Sequence, residues 1–361
     1  MDTVIFEIAF RLGKILSLTP STVKERKQDF PRKSHSLFVF VLYTTAMVAI
    51  VSQRQRNEIG FTKIQNFLSV SMDFVLYAHN CYLVMILMMM RQKEWFKLIK
   101  NLIKIEPDQN ARPSFLLLVV PQAVFGVNVA VLSYICFRYL GVGRTILNFS
   151  MQLQYYSQYL YVALGNVVLK MLWSRYHRQK FLLWKQVTTG LLDDQLTLLK
   201  SVGYDMLRLR EIVDSFNNIF GCTLVSNVFL FTLRNLLFID AVIKDGGLFK
   251  EKSRGLFSVL ITVHQLLHLL MFWIGFLSTN LLCDRILKEY DSIVQVSHQL
   301  EAACDGATRK SNPLRRFVNV ILHNRPVFSA AGFFSINRST IFIVLESMTT
   351  FLIVIIQFKS D

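Results

Sequence analysis

Thr350-Phe351-Leu352-Ile353-Val354-Ile355-Ile356-Gln357-Phe358 decides how this chain is read. The stretch is apolar and ends in one amide beside one aromatic ring; only Lys359, Ser360 and Asp361 follow in the sequence. On a helix, stepping back from Gln357 by three and four residues gives Val354 and Thr350, then Ser347 or Glu346, then Ile343. This face is small and polar at one end and carries an amide at the other. Such a helix fits the wall of a pore. Gln357 would form a polar ring, and Phe358 or Val354 would close the path by dewetting. One helix cannot enclose a conduit, so the reading requires several copies around an axis. Glu346 is an ionisable group at membrane depth and would favour cations in a pore. The alternative for Glu346 is a buried structural acid paired with Arg338 or a neighbouring helix.

The rest of the chain agrees with a membrane protein. Of its 361 residues, 53% are hydrophobic, too many for a soluble domain of this size. They gather in runs near 35–52, 66–90, 114–137, 145–172, 217–239, 256–283 and 336–358. Each approaches the roughly 20 helical residues that cross a bilayer core. The expected fold is all-α, with seven transmembrane helices.

The net charge of +16 follows the loops and does not form a nucleic-acid face. Lys and Arg number 27 on one alternate set of loops and 10 on the other. The positive-inside rule then places the N-terminus in the cytoplasm and the C-terminus outside, the reverse of a G-protein-coupled receptor. Arg11 and Lys14 interrupt the apolar residues 4–10, so no cleavable signal peptide is expected. The five cysteines lack ligand spacing and read as small buried hydrophobes.

The expected organisation is a cytoplasmic segment (1–35), a six-helix ligand-sensing unit (36–283) with a helical inner loop (173–217), cytoplasmic anchor helices (284–325), a pore helix in two halves (326–358) and an external tail (359–361). Leu199, Val202, Met206, Leu209, Val213 and Phe216 recur every three or four residues and predict an amphipathic helix running into the fifth span. Ile286, Tyr290, Ile293 and Leu300 predict another, ahead of turn signals at Gly306 and Pro313. As a single helix, 326–358 would overshoot the bilayer at 1.5 Å per residue. A break is therefore expected near Gly332 and Ser335–Arg338, with a lower half-helix before it.

With this topology the outer halves of the spans carry a dense set of polar groups. Span two supplies Asp73 and Tyr77, and span four Gln154, Tyr155 and Gln158. Span five adds Arg234 and Asn235; span six adds His264, Gln265 and His268. Polar side chains at membrane depth need partners or water. Amides beside aromatic rings suit a small-molecule pocket, while Asp73 and Arg234 together read as a buried ion pair. His264 and His268 share a helix face at i,i+4 spacing, yet position 265 is Gln and no third ligand is in sequence register, so no metal or other cofactor is expected. The sequence holds no nucleophile elbow, phosphate loop or paired catalytic carboxylate, so no enzyme is expected. Asn148-Phe149-Ser150 is a glycosylation sequon beside the bilayer.

Ala330-Ala331-Gly332-Phe333-Phe334-Ser335-Ile336-Asn337-Arg338-Ser339, then Thr349-Thr350-Phe351 and Gln357-Phe358, resembles the signature of insect gustatory receptors. That signature is Gly-Phe-Phe-x-Ile-Asp, then Thr-Tyr, five hydrophobic residues and Gln-Phe. Here Asn337 stands for the Asp and Phe351 for the Tyr. The resemblance implies a homotetrameric, ligand-gated, non-selective cation channel in the plasma membrane of sensory neurons, either alone or as a hetero-oligomer with related receptors. It implies a central pore lined by the last helix, inner helices anchoring the fourfold axis, and a tastant pocket in the outer half of the first six helices. Gln357 and Phe358 take the gate positions. A bitter or plant-derived compound is the expected tastant. The rival readings are a metabotropic seven-helix receptor, a transporter, and a membrane metal enzyme using His264 and His268.

Overall fold

A computed structural model describes residues 2–19, 30–54, 63–87, 92–107, 115–189, 195–244, 256–304 and 311–359. The helices are α1 (Asp2–Ile15), α2 (Phe30–Arg54), α3 (Lys63–Cys81), α4 (Gln92–Lys104), α5 (Phe115–Ile135), α6 (Val142–Thr189), α7 (Gln195–Lys244), α8 (Leu256–Cys304), α9 (Ser311–His323) and α10 (Arg338–Lys359). Wider π-helical turns, Tyr82–Leu87 and Cys136–Leu140, extend α3 and α5. The apolar runs fall on α2, on α3 with its extension, on α5, on one half each of α6, α7 and α8, and on α10. Among the described residues, four helical segments are long and apolar enough to cross a membrane: Lys33–Ser52, Val119–Tyr139, Thr197–Asp240 and Val259–Ala302. The predicted turn at Gly306 and the last two residues of the tail lie outside the described residues.

Three rods, α6, α7 and α8, dominate the architecture. At 48 to 50 residues each spans about 72–75 Å. The apolar half of each packs beside the apolar halves of the others, and so do the mixed halves. The mixed halves build the larger core. Val202, Met206, Leu209, Val213 and Phe216 of α7 are buried there with Ile286, Tyr290 and Ile293 of α8. Each such side chain contributes ~1.5–3 kcal/mol on burial. Phe317 and Ile321 of α9 close this bundle.

The amphipathic α4 was not apparent between the apolar runs. It buries Trp95, Leu98, Ile99 and Leu102 on one face. Phe10 of α1 packs edge-on against Trp95, with ring centroids 5.7 Å apart. The end of α4 leaves carbonyls without helical partners. Arg175, 2% exposed, shares its Nε–H between Leu102 O at 2.9 Å and Ile105 O at 3.1 Å. Tyr290 donates to Ile321 O, tying α8 to α9. Burial pushes the Tyr290 phenol up to about 12. It pushes the neighbouring Tyr176 phenol well above its usual range. Burial likewise raises the Asp205 carboxyl, against the opposing hydrogen bond from Gln179 at 3.0 Å.

The apolar halves are clasped by amides. Asn166 of α6 donates to Ser278 Oγ at 2.7 Å and accepts from Thr279 Oγ1 at 2.8 Å. The second core lies at this end, with Tyr155, Tyr159, Phe231, Phe272 and Phe276.

The predicted lower half-helix before α10 is corrected. Residues 324–337 hold no helix; they form a turn and a hairpin, β1 (Ser329–Ala330) against β2 (Phe334–Ser335). Pro326 lacks an N–H and disfavours helical backbone before it. Ala331 and Gly332 both adopt left-handed backbone, with φ of 51° and 83°, and the turn closes with Phe333 N–H donating to Ala330 O at 2.9 Å. Gly332 is part of the break, as its position in the sequence implied. The break is a hairpin because left-handed backbone at two successive residues reverses the chain.

Candidate functional site

The polar cluster is built where α6 meets α3, α5, α7 and α8. Two faces of α6 matter, because residues four apart stack along a helix. Gln154 and Gln158 form one face. Asn80 of α3 donates to Gln154 O at 3.3 Å, and Gln158 donates to Asn227 Oδ1 of α7 at 3.3 Å. Tyr155 and Tyr159 form the other face. The Tyr155 and His268 rings meet edge-on, with centroids 4.5 Å apart, and Tyr159 Oη donates to His268 O at 3.3 Å.

Most of the sequence-predicted residues come together. Gln154, Tyr155, Gln158, His264 and His268 are all buried. Arg234 donates to Gln265 Oε1. Buried Asp73, with Tyr155 and Tyr159, lies within electrostatic range of Arg234. Thus Gln265 hydrogen-bonds the guanidinium and Asp73 supplies countercharge. Gln154 Nε2, Gln158 Oε1 and both ring nitrogens of His268 are buried without a hydrogen-bond partner among the described residues. Unpartnered polar atoms in a dry interior are costly unless a ligand or water meets them.

Two predicted residues are turned elsewhere. The Tyr77 hydroxyl meets Thr44 of α2 at 3.1 Å and packs with Val39 and Tyr43. Asn235 is fully engaged: it donates to Phe231 O at 2.7 Å and accepts from Trp273 Nε1 at 3.1 Å. Asn128, Tyr159 and Asn227 are members that sequence reasoning passed over. Each is a polar group inside an apolar run, the signal that would have found them. Asn128 Oδ1 lies 2.8 Å from His264 Nδ1. The His264 and His268 rings stack 5.8 Å apart. No third His, Cys, Asp or Glu joins them in a metal-sized group among the described residues. A cleft of about 600 Å³ opens at the opposite end of the molecule, between Leu199–Leu207 of α7 and Pro313–Val320 of α9.

The second candidate feature is α10. Its start is fixed by Asn337, whose Oδ1 accepts from the N–H groups of Ser339 at 2.9 Å and Thr340 at 3.3 Å, a helix N-cap. One narrow stripe, Thr340, Val344 and Met348, is buried against the bundle. The rest of α10 is largely exposed. Glu346, Thr350, Val354 and Gln357 all lie on open surface. Thr350 Oγ1 donates back to Glu346 O at 3.1 Å. Glu346 is exposed in this chain, and no base pairs with it among the described residues. The Phe358 side chain lies outside the described residues.

The hairpin holds α10 to α7. Asn217 clamps it from both sides, donating to Val327 O at 2.7 Å and accepting from Ser329 N–H at 3.0 Å. Phe328 is buried against Phe216, with ring centroids 6.0 Å apart.

Long helical rods with segments apolar enough to cross a membrane, a cluster of buried polar groups and a separately tethered terminal helix point to a helical membrane protein. The family model described as 7tm Chemosensory receptor matches residues 6–361, and the chain belongs to that family. No curated protein sequence matches the chain. Solved structures of an insect olfactory receptor are among those that share the fold. The insect olfactory receptor OR5 from Machilis hrabei in complex with eugenol aligns with a TM-score of 0.69 at 12% identity, over 99% of this chain and 99% of that one. The same receptor described without a ligand aligns with a TM-score of 0.68 at 11% identity, over 98% and 97% of the two chains.

Proposed function

We propose that this chain is a gustatory receptor subunit, a ligand-gated non-selective cation channel opened by a small-molecule tastant. The single observation that carries the reading is α10. A helix attached by one stripe, with Glu346, Thr350, Val354 and Gln357 open on a single subunit, is incomplete alone. Four copies around an axis would bring those groups together on water. Seven spans, an inner N-terminus and an outer C-terminus accord with the loop charges. The Gly332-Phe333-Phe334 and Gln357-Phe358 motifs favour the gustatory branch, in the plasma membrane of sensory neurons.

The tastant would sit in the polar cluster, between Tyr155, Gln158, Arg234, Gln265 and His268. A bitter or plant-derived compound suits a site that mixes aromatic faces with amide and imidazole groups. The related OR5 structure with eugenol supports a small aromatic ligand for this fold. Ligand binding opens the channel only by having higher affinity for the open arrangement.

Expression in a heterologous cell tests the reading. A C-terminal tag should be labelled on intact cells, and a tastant panel should evoke calcium entry and single-channel steps. Responses that require a G protein and occur without unitary currents would favour a metabotropic receptor instead.

A further inference from the structure

We propose that Lys170 and Arg285 bind the phosphate of an anionic lipid headgroup, at the point where an exposed apolar stripe of α8 ends. This rests on the membrane reading above. Val263, Leu266, Leu270, Ile274 and Leu281 are all exposed on α8 and recur at the spacing of one helix face. Arg285 is exposed and continues that face one turn beyond Leu281. From Val263 to Arg285 is about 33 Å along the helix, the thickness of a hydrocarbon core at about 30 Å. The stripe thus has the length and character of a lipid-facing strip, and Arg285 stands at its boundary.

Lys170 is presented from the adjacent α6. Its Nζ lies 3.8 Å from the centre of the Trp173 ring. Arg285 is within electrostatic range of Lys170. The two cations repel, and neither is paired with a carboxylate among the described residues. The nearest acid in sequence, Asp284, is taken by Lys288 at 2.8 Å. Glu289, one turn beyond Arg285, is likewise taken, by His177 and Lys180, so the two neighbouring cations are left to an outside anion. A tryptophan beside them is the residue type that settles at the headgroup level, and its ring face steadies the ammonium. A phosphodiester would bridge Lys170 and Arg285 while its acyl chain follows Leu281 and Ile274. A free phosphate shares the headgroup's chemistry, but the stripe leading away from the site selects the lipid.

The test uses the full chain reconstituted in phosphatidylcholine bilayers, with spin-labelled phosphatidylserine or phosphatidylcholine at trace level. Each base should favour the anionic label by about fivefold, so the pair should give roughly 30-fold selectivity in the motion-restricted component. The Lys170→Gln/Arg285→Gln double variant should lose most of it. Lys170→Arg/Arg285→Lys should keep it, and Arg316→Gln, a surface base elsewhere, should leave it intact. Equal restriction of both labels by the wild-type protein, or an equal loss in Arg316→Gln, would overturn the site while leaving the membrane reading standing. The absence of any motion-restricted lipid would overturn both. Displacement of the bound label by inorganic phosphate at matched ionic strength would assign the site to a soluble anion and overturn the lipid.

Discussion

Gly221 of α7 passes so close to Ala331 that a Cβ at 221 would lie 2.8 Å from the Ala331 backbone nitrogen. The neighbour is backbone, not a flexible side chain. Something must therefore move if residue 221 gains a methyl group. Gly221→Ala should push the hairpin off α7 at a cost of ~1–3 kcal/mol, the usual range for overpacking. A lower melting temperature in detergent, together with loss of ligand-evoked current, is the expected result. An unchanged melting temperature would show that the hairpin is not seated on α7.

Asn217 is the second fastener of the same hairpin. Asn217→Ala removes a donor and an acceptor at once and leaves Val327 O and Ser329 N–H without this partner. The expected destabilisation is about 1–3 kcal/mol. Asn217 and Gly221 hold one element, so their double variant should cost less than the sum of the singles. Strict additivity in thermal melts would separate the two contacts.

On α10, Gln357→Ala should change single-channel conductance or ion selectivity with little shift in ligand sensitivity. Glu346→Gln should lower the preference for cations. Val354→Cys should react with a water-soluble thiol reagent faster in the presence of tastant than in its absence. Unchanged currents in all three variants would remove α10 from the conduction path.

In the polar cluster, His268→Ala removes the ring packed against Tyr155. Aromatic pairs of this kind are worth ~0.5–1.5 kcal/mol beyond their burial. Together with the two ring nitrogens it no longer offers a tastant, this should raise the half-maximal tastant concentration by roughly tenfold, equivalent to about 1.4 kcal/mol. Gln265→Leu should act in the same direction by leaving Arg234 without its amide partner. Conductance should stay at the wild-type value in both variants. A change in conductance without a change in sensitivity would contradict the assignment.

The inner bundle should weaken in alkali. Tyr290 keeps its proton to about pH 12 in the folded chain, against an ordinary value of 10. The folded state therefore holds a proton that the unfolded chain has already released. Stability from this group is whole below pH 10 and is lost as pH rises through the folded value. Thermal melts across that window should show a steeper decline for wild type than for Tyr290→Phe.

The long elements were legible in the sequence because burial in lipid or in a helical bundle writes a local pattern. The stripe from Leu199 to Phe216 could be counted, and it lies buried along one face of α7. The hairpin before α10 could not be read this way. It depends on left-handed backbone at Ala331 and on the empty space beside Gly221, a residue 110 positions away. The polar cluster was legible as a composition and not as a geometry. Tyr77 and Asn235 looked equivalent to Gln158 and His268, yet Thr44 and Trp273 claim them from other helices. Which polar group remains open is settled by partners distant in sequence. Helix α4 went unread because its apolar face alternates with four lysines in 13 residues, which lowers the running hydropathy while leaving the periodicity intact.

The continuity of α6, α7 and α8 has a mechanical consequence. None of these rods has a break between the end that carries the polar cluster and the packed inner bundle. A displacement at one end must then tilt the whole rod about its fixed foot, like a lever on a pivot. Among the described residues, the hairpin fastened to α7 by Asn217 and Gly221 is the link between these rods and α10. A tilt of α7 is therefore carried through that fastened hairpin to the terminal helix.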